Sequence, residues 1–160
     1  MLSRQEIEQH LKNPNVRKML GVIASAEGVK HGYNTMFGNE RLSDLSKHPG
    51  ILKEFTQTDG KKNKTSAAGR YQFLEPTWNG LAKQLGLKDF SPKSQDIAAV
   101  ALLAQNGALP HVLKGDIPTA VKKSGGTWAS LPSAPDSYKQ PKNCLLYTSD
   151  AADERASVDL

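Results

Sequence analysis

Residues 13–28 read Asn13-Pro14-Asn15-Val16-Arg17-Lys18-Met19-Leu20-Gly21-Val22-Ile23-Ala24-Ser25-Ala26-Glu27-Gly28, a helix with both of its ends encoded. Asn followed by Pro is the preferred cap-then-first-turn order, and a glycine just past the last apolar residue is a common stop. Val16, Met19, Leu20 and Ile23 recur at i, i+3, i+4 and i+7, so they form one inward stripe. Glu27 lies four residues beyond Ile23, on that same stripe. A carboxyl group there loses hydration, which favours its neutral form and should raise its pKa. An acid still protonated near neutral pH can give a proton to a leaving oxygen. Periodicity alone leaves a partly exposed last-turn glutamate as the commoner alternative, because Glu is seldom fully buried without a partner.

Upstream, Ser3 and Glu6 have capping-box spacing and predict a short helix over 4–12. Downstream the helical period vanishes from 31 to 58, where Gly32, Gly38, Pro49 and Gly50 punctuate the chain. A small β-hairpin region is predicted there, and 59–70 reads as a polar, flexible loop. Helices return with Pro76, placing Trp78, Leu81, Ala82 and Leu85 on one face before Gly86. Ser91-Pro92 opens another, with Ile97, Val100, Ala101 and Ala104 inward and Gly107 at its end; a third runs from Asp116 to Gly125-Gly126. This order predicts an α+β fold: a helix-rich lobe, a small antiparallel β region and a cleft between them.

A chain of 160 residues suits one domain. The net charge of +5 favours an anionic partner such as an acidic polymer, a cell envelope or nucleic acid. Residues 1–143 alone carry 20 bases against 12 acids. Scattered basic residues without a recognition motif argue against nucleic acid. No apolar run is long enough to span a bilayer, and the polar start is not a secretory signal. The single Cys144 excludes an internal disulfide, and the four histidines lack zinc-helix spacing, so neither metal nor cofactor is expected.

Several motifs then occur in one order: Glu27-Gly28, His31-Gly32-Tyr33, Gly38, Asp44, His48-Pro49, Gly69-Arg70-Tyr71-Gln72, Trp78 and the run from Leu85 through Phe90-Ser91-Pro92 to Gln95-Asp96. Gly107-Ala108-Leu109-Pro110, Gly115-Asp116-Ile117 and Trp128-Ala129-Ser130-Leu131-Pro132 follow. Over about residues 15–140 the chain resembles the lambda-type phage endolysins, lytic transglycosylases of lysozyme-like fold.

The resemblance implies cleavage of the β-1,4 bond between N-acetylmuramic acid and N-acetylglucosamine in peptidoglycan, leaving a 1,6-anhydro sugar for host lysis. It implies Glu27 as the catalytic acid. Two carboxylates serve an ordinary glycosidase, whereas one suffices when the substrate's own C6 hydroxyl is the nucleophile. Gln72 is then a candidate for the sugar acetamide or developing charge, against the alternative that it faces outward beside buried Tyr71 and Phe73. Tyr33, Tyr71 and Tyr138 are candidates to position the sugar or Glu27, and Asp44 to stabilise an oxocarbenium-like state unless it caps a turn. His31 and His48 would line the cleft or hold turns, and Trp128 suits core better than a sugar platform. Ala26 stands where some relatives carry Ser. The basic loop 61–70 reads as a solvated turn, with contact to acidic stem peptides as the alternative.

The same resemblance implies a monomer made in the host cytoplasm that reaches the wall through a separate membrane pore, a holin. A hydrolytic muramidase and a non-catalytic wall-binding or virion module are the competing readings. Residues Cys144 to Glu154 resemble a translated sequencing adapter. The domain is therefore expected over 1–143, with 144–160 a non-native tail in place of the closing helix of relatives. Loss of such a helix would expose core at about 25 cal/mol per Å² of apolar area.

Overall fold

The computed structural model describes residues 2–132, and its helix ends carry the predicted caps as hydrogen bonds. Helix α1 (Arg4–His10) begins at Ser3, whose Oγ accepts from the Glu6 N–H at 3.1 Å while the Ser3 N–H donates to Glu6 Oε1 at 2.9 Å. The helix stops two residues short of the expected 12. Helix α2 (Pro14–Glu27) has Asn13 as its N-cap and Gly28, left-handed at φ 70°, as its C-cap. Val16, Met19, Leu20 and Ile23 are all fully buried, so the inward stripe lies where its spacing put it.

A single 3-10 turn (Gly32–Asn34) leads into β1 (Thr35–Met36), which pairs with β2 (Glu40–Arg41). The second ladder is the hairpin of β3 (Lys53–Thr56) with β4 (Lys62–Thr65). The expected flexible loop 59–70 therefore contains a strand. Its register sets Glu54 opposite Lys64 and Phe55 opposite Asn63, so opposite charges face each other across a ladder that backbone bonds hold. Only Thr65 of β4 is buried, and a strand with exposed lysines carries no apolar alternation to read.

Helix α3 (Glu75–Leu85) buries Trp78, Leu81 and Leu85 and ends at Gly86, again left-handed. Helix α4 (Pro92–Gln105) departs from the predicted one-sided stripe: it is buried from Ser94 through Ala101 and at Leu103, while Ala104 is only half-buried. It packs against α1, α2, α3 and the short α5 (Leu109–Leu113). A helix packed by four others is buried on all sides through its middle, so a single apolar stripe does not describe it. Helix α6 (Ile117–Ser124) is capped by Asp116, whose Oδ1 accepts from the Thr119 N–H at 3.2 Å.

Together these elements form the α+β, lysozyme-like fold: helices around α4, with the small antiparallel ladders set between α2 and α3 in the chain. Aromatic contacts run from Tyr71 to Phe73, on to Trp78 and then Phe90, the first and last edge-to-face and the middle one tilted. Tyr138, the tail from Cys144 and the end of the 1–143 domain lie outside the described residues.

Candidate active site

Glu27 is the last residue of α2 and is half-buried. The turn after it is fixed by three short bonds: Lys30 N–H to Asn39 Oδ1 at 2.9 Å, His31 N–H to Thr35 Oγ1 at 2.9 Å and Thr35 Oγ1 to the Gly32 carbonyl at 2.9 Å. Thr35 then recruits a distant segment, because its carbonyl accepts from the Gly69 N–H at 2.7 Å. Ala68 bridges Met36 on one side and Phe73 on the other. Glu27, His31, Tyr33 and the segment 69–72 are thus tied to one piece of backbone.

Gln72 holds a left-handed backbone at φ 52°, a conformation non-glycine residues seldom adopt. Its Nε2 donates to the Gly69 carbonyl at 2.8 Å. Such strained positions concentrate at functional sites, and Gln72 is half-buried rather than fully outward-facing. Gly69 itself is left-handed at φ 87°, and a Cβ there would run into Gln95 Oε1 and Phe90.

Beneath these residues is a buried carboxylate the sequence reading passed over. Asp96 Oδ1 accepts from the Tyr71 hydroxyl at 2.5 Å and the Tyr33 hydroxyl at 2.9 Å; Oδ2 accepts from Arg17 Nη1 at 2.8 Å and again from Tyr33 at 3.1 Å. Arg70 stacks over both tyrosine rings, at 5.4 and 5.3 Å from their centroids, and its Nη1 donates to the Tyr71 hydroxyl at 2.6 Å. Neighbouring Gln95 accepts from the Arg70 N–H and donates to the carbonyls of Tyr33 and Phe90. Burial, with the Asp96 charge second, raises the pKa of both phenols, so they stay protonated as donors. The hydrogen bond to Asp96 raises the pKa of Arg17.

This network corrects one expectation: Tyr71 is fully buried, its ring in the core and its hydroxyl on Asp96, so it presents no surface to a sugar. Tyr33 is half-buried. Asp44 is exposed and its Oδ1 accepts from the Ser46 N–H at 2.8 Å, the turn-capping alternative; hydrogen bonds from the Ser46 side chain and then its N–H lower its pKa. Trp128 is core, its Nε1 donating to the Tyr71 carbonyl at 3.0 Å. One signal could have found Asp96. It directly precedes the apolar run Ile97-Ala98-Ala99-Val100-Ala101-Leu102-Leu103, which reads as a helix buried on all sides, and a charge in such a helix must have partners.

His48 is structural. Its Nε2 is 2.8 Å from the Phe73 carbonyl and its Nδ1 accepts from the Gly50 N–H at 3.0 Å, which fixes the neutral Nε2–H form. Burial lowers its pKa. Below the unfolded value, about 6.5, the unfolded chain binds a proton that the folded ring refuses. Stability therefore falls as pH drops from about 7.5 through that value. Asp44, Asp89 and Asp116, all held low by hydrogen bonds from Ser or Thr, act further down, their contribution vanishing as pH falls through the carboxylate range. His48→Gln is expected to cost about 1 kcal/mol at pH near 8 yet to flatten the loss between about pH 7.5 and 5.5. Urea melts at the two pH values measure both quantities, and an unflattened slope would assign that loss to another group.

Residues 17–150 match the model of the family described as Endolysin. The chain belongs to the endolysin family. The endolysin of Escherichia phage lambda is 43% identical over 129 residues, covering 75% of this chain and 79% of the relative. That of Escherichia phage P2 is 34% identical over 144 residues, covering 82% and 86%. Among solved structures, lysozyme from bacteriophage lambda superposes with a TM-score of 0.65 at 41% identity, covering 74% of this chain and 80% of that one. The same lysozyme complexed with a chitohexasaccharide gives 0.68 at 40%, covering 79% and 86%. As an endolysin the protein is a phage enzyme that degrades peptidoglycan. Among its described residues no helix is long and apolar enough to cross a membrane.

Proposed function

We propose that this endolysin is a lytic transglycosylase cutting between N-acetylmuramic acid and N-acetylglucosamine, with Glu27 as its acid and base. The observation carrying the reading is the placement of Glu27, a half-buried carboxyl ending α2 beyond a fully buried apolar stripe. The Glu27 carboxyl gives its proton to the glycosidic oxygen as the C1–O bond breaks, freeing the N-acetylglucosamine C4 hydroxyl. The muramic acid C6 oxygen bonds to C1, and its proton passes to the Glu27 carboxylate, restoring the acid. No water is consumed.

The network around Asp96 supports a single-carboxylate scheme. That carboxylate is 4% exposed and held by three donors, Arg17, Tyr33 and Tyr71, so it is not open to substrate as a base or nucleophile. The relative solved with a chitohexasaccharide supports a β-1,4-linked amino-sugar chain as the ligand. Gln72 would bind its acetamide, with Tyr33 and His31 beside it. The remaining features of the reading are a monomeric enzyme, synthesis in the host cytoplasm and passage to the wall through a holin.

Digestion of purified peptidoglycan followed by mass spectrometry tests the reaction. Muramic ends one water lighter than reducing ends are expected. Hydrated ends would make the enzyme a hydrolytic muramidase, and wall binding without fragments would make the chain a binding module.

A further inference from the structure

Asp96 lies in the second turn of α4 and is 4% exposed. Its partners come from three separate segments: Arg17 from α2, Tyr33 from the 3-10 turn and Tyr71 from the segment 69–72. Those same segments carry Glu27, His31 with Tyr33, and Gln72. Gln95, one residue earlier, fastens the latter two by their backbones, through the Tyr33 carbonyl at 3.2 Å and the Arg70 N–H at 2.9 Å. The buried charge is balanced by Arg17 directly and by Arg70 through the Tyr71 hydroxyl, so it is paired as a buried ion must be.

We infer that Asp96 is a positioning residue for the reaction, setting α2 and the segment 69–72 at the separation at which Glu27 and Gln72 meet one sugar. The inference rests on the reading of Glu27 as the proton donor. Asp96 does no chemistry itself, because it is buried and held by three donors. It acts through Arg17, Tyr33 and Tyr71, and a misplacement of about 1 Å at the reacting atoms costs about 100-fold in rate. A side-chain amide in its place has the same shape. It offers one acceptor oxygen and an NH2 group where the carboxylate offered two acceptors, so the tyrosine hydroxyls must share that oxygen with Arg17 or turn to accept, and the charge that pairs Arg17 is lost.

The test is steady-state kinetics of Asp96→Asn on solubilised glycan strands, at a temperature where circular dichroism shows the variant folded. The expected result is a fall in kcat of about 10- to 100-fold with KM changed less than about threefold, since most of the binding surface is untouched. Tyr71→Phe removes one hydroxyl and keeps the ring, and should lower kcat by about 3- to 10-fold with the same selectivity. A purely structural carboxylate would lower the melting temperature and leave kcat of the folded enzyme unchanged, which would overturn the inference. If Asp96→Asn does not fold, Tyr71→Phe decides by the same criterion. Glu27→Gln run alongside separates the two failures. An active Glu27→Gln enzyme sinks the underlying reading, whereas an inactive one beside full kcat in Asp96→Asn and Tyr71→Phe sinks only the positioning role.

Discussion

Glu27→Gln is expected to abolish the clearing of wall suspensions, by at least about 1,000-fold, while the protein stays folded and still binds peptidoglycan. Glutamine keeps the size of the side chain and its ability to hydrogen-bond, but has no proton to give. The proposed cycle uses the carboxyl twice, first as acid and then as base, so both transfers are lost together. The fold should survive because α2 is closed by backbone bonds from Gly28 to the carbonyls of Ala24 and Ser25. Its buried stripe is complete by Ile23 and Ala26. Glu27→Asp is the graded companion. It keeps the acid and withdraws it by one methylene, roughly 1 Å, which predicts a loss of about 100-fold. Turbidity clearing, sedimentation with purified wall and circular dichroism read the three quantities. Unchanged clearing by Glu27→Gln would remove Glu27 from the mechanism.

Gly69→Ala is expected to destabilise the enzyme by about 3 kcal/mol, and the same exchange at Gly21 to stabilise it by about 0.5–1 kcal/mol. At Gly69 two costs add. The backbone is left-handed at φ 87°, where any Cβ is strained. The new methyl would also meet Gln95 Oε1 and Phe90, both fully buried and so unable to retreat. The Gln95 oxygen cannot move without releasing the Arg70 N–H, so activity should fall along with stability. At Gly21, inside α2, an added Cβ finds nothing within 4 Å, and alanine gains helix propensity while narrowing the unfolded ensemble. Urea melts of the two variants give the difference. Equal effects at both positions would contradict this account of 69–72.

The candidate acid was legible because it sits on a continuous pattern. Periodicity, cap and stop signals around Glu27 all lie within 16 consecutive residues, and local chemistry is what such signals report. Strand β4 was not legible, since its lysines face solvent and its stability comes from a partner six to twelve residues away in the ladder register. Tyr71 shows the same limit from the other side. A motif can say that a tyrosine belongs near a site, but not whether its ring faces the sugar or the core.

The sequence by itself determined most of the helices, the inward stripe that delivers Glu27 and, through its ordered motifs, the family. Those are properties of neighbours along the chain, where hydrogen-bond and burial periods repeat every few residues. Only the tertiary structure decided that α4 is enclosed, that Gly69 admits no side chain and that Asp96 gathers Arg17, Tyr33 and Tyr71. The reason is physical: a buried carboxylate must find its donors wherever the folded chain brings them. For Asp96 they stand 79, 63 and 25 residues away, at separations no local pattern encodes.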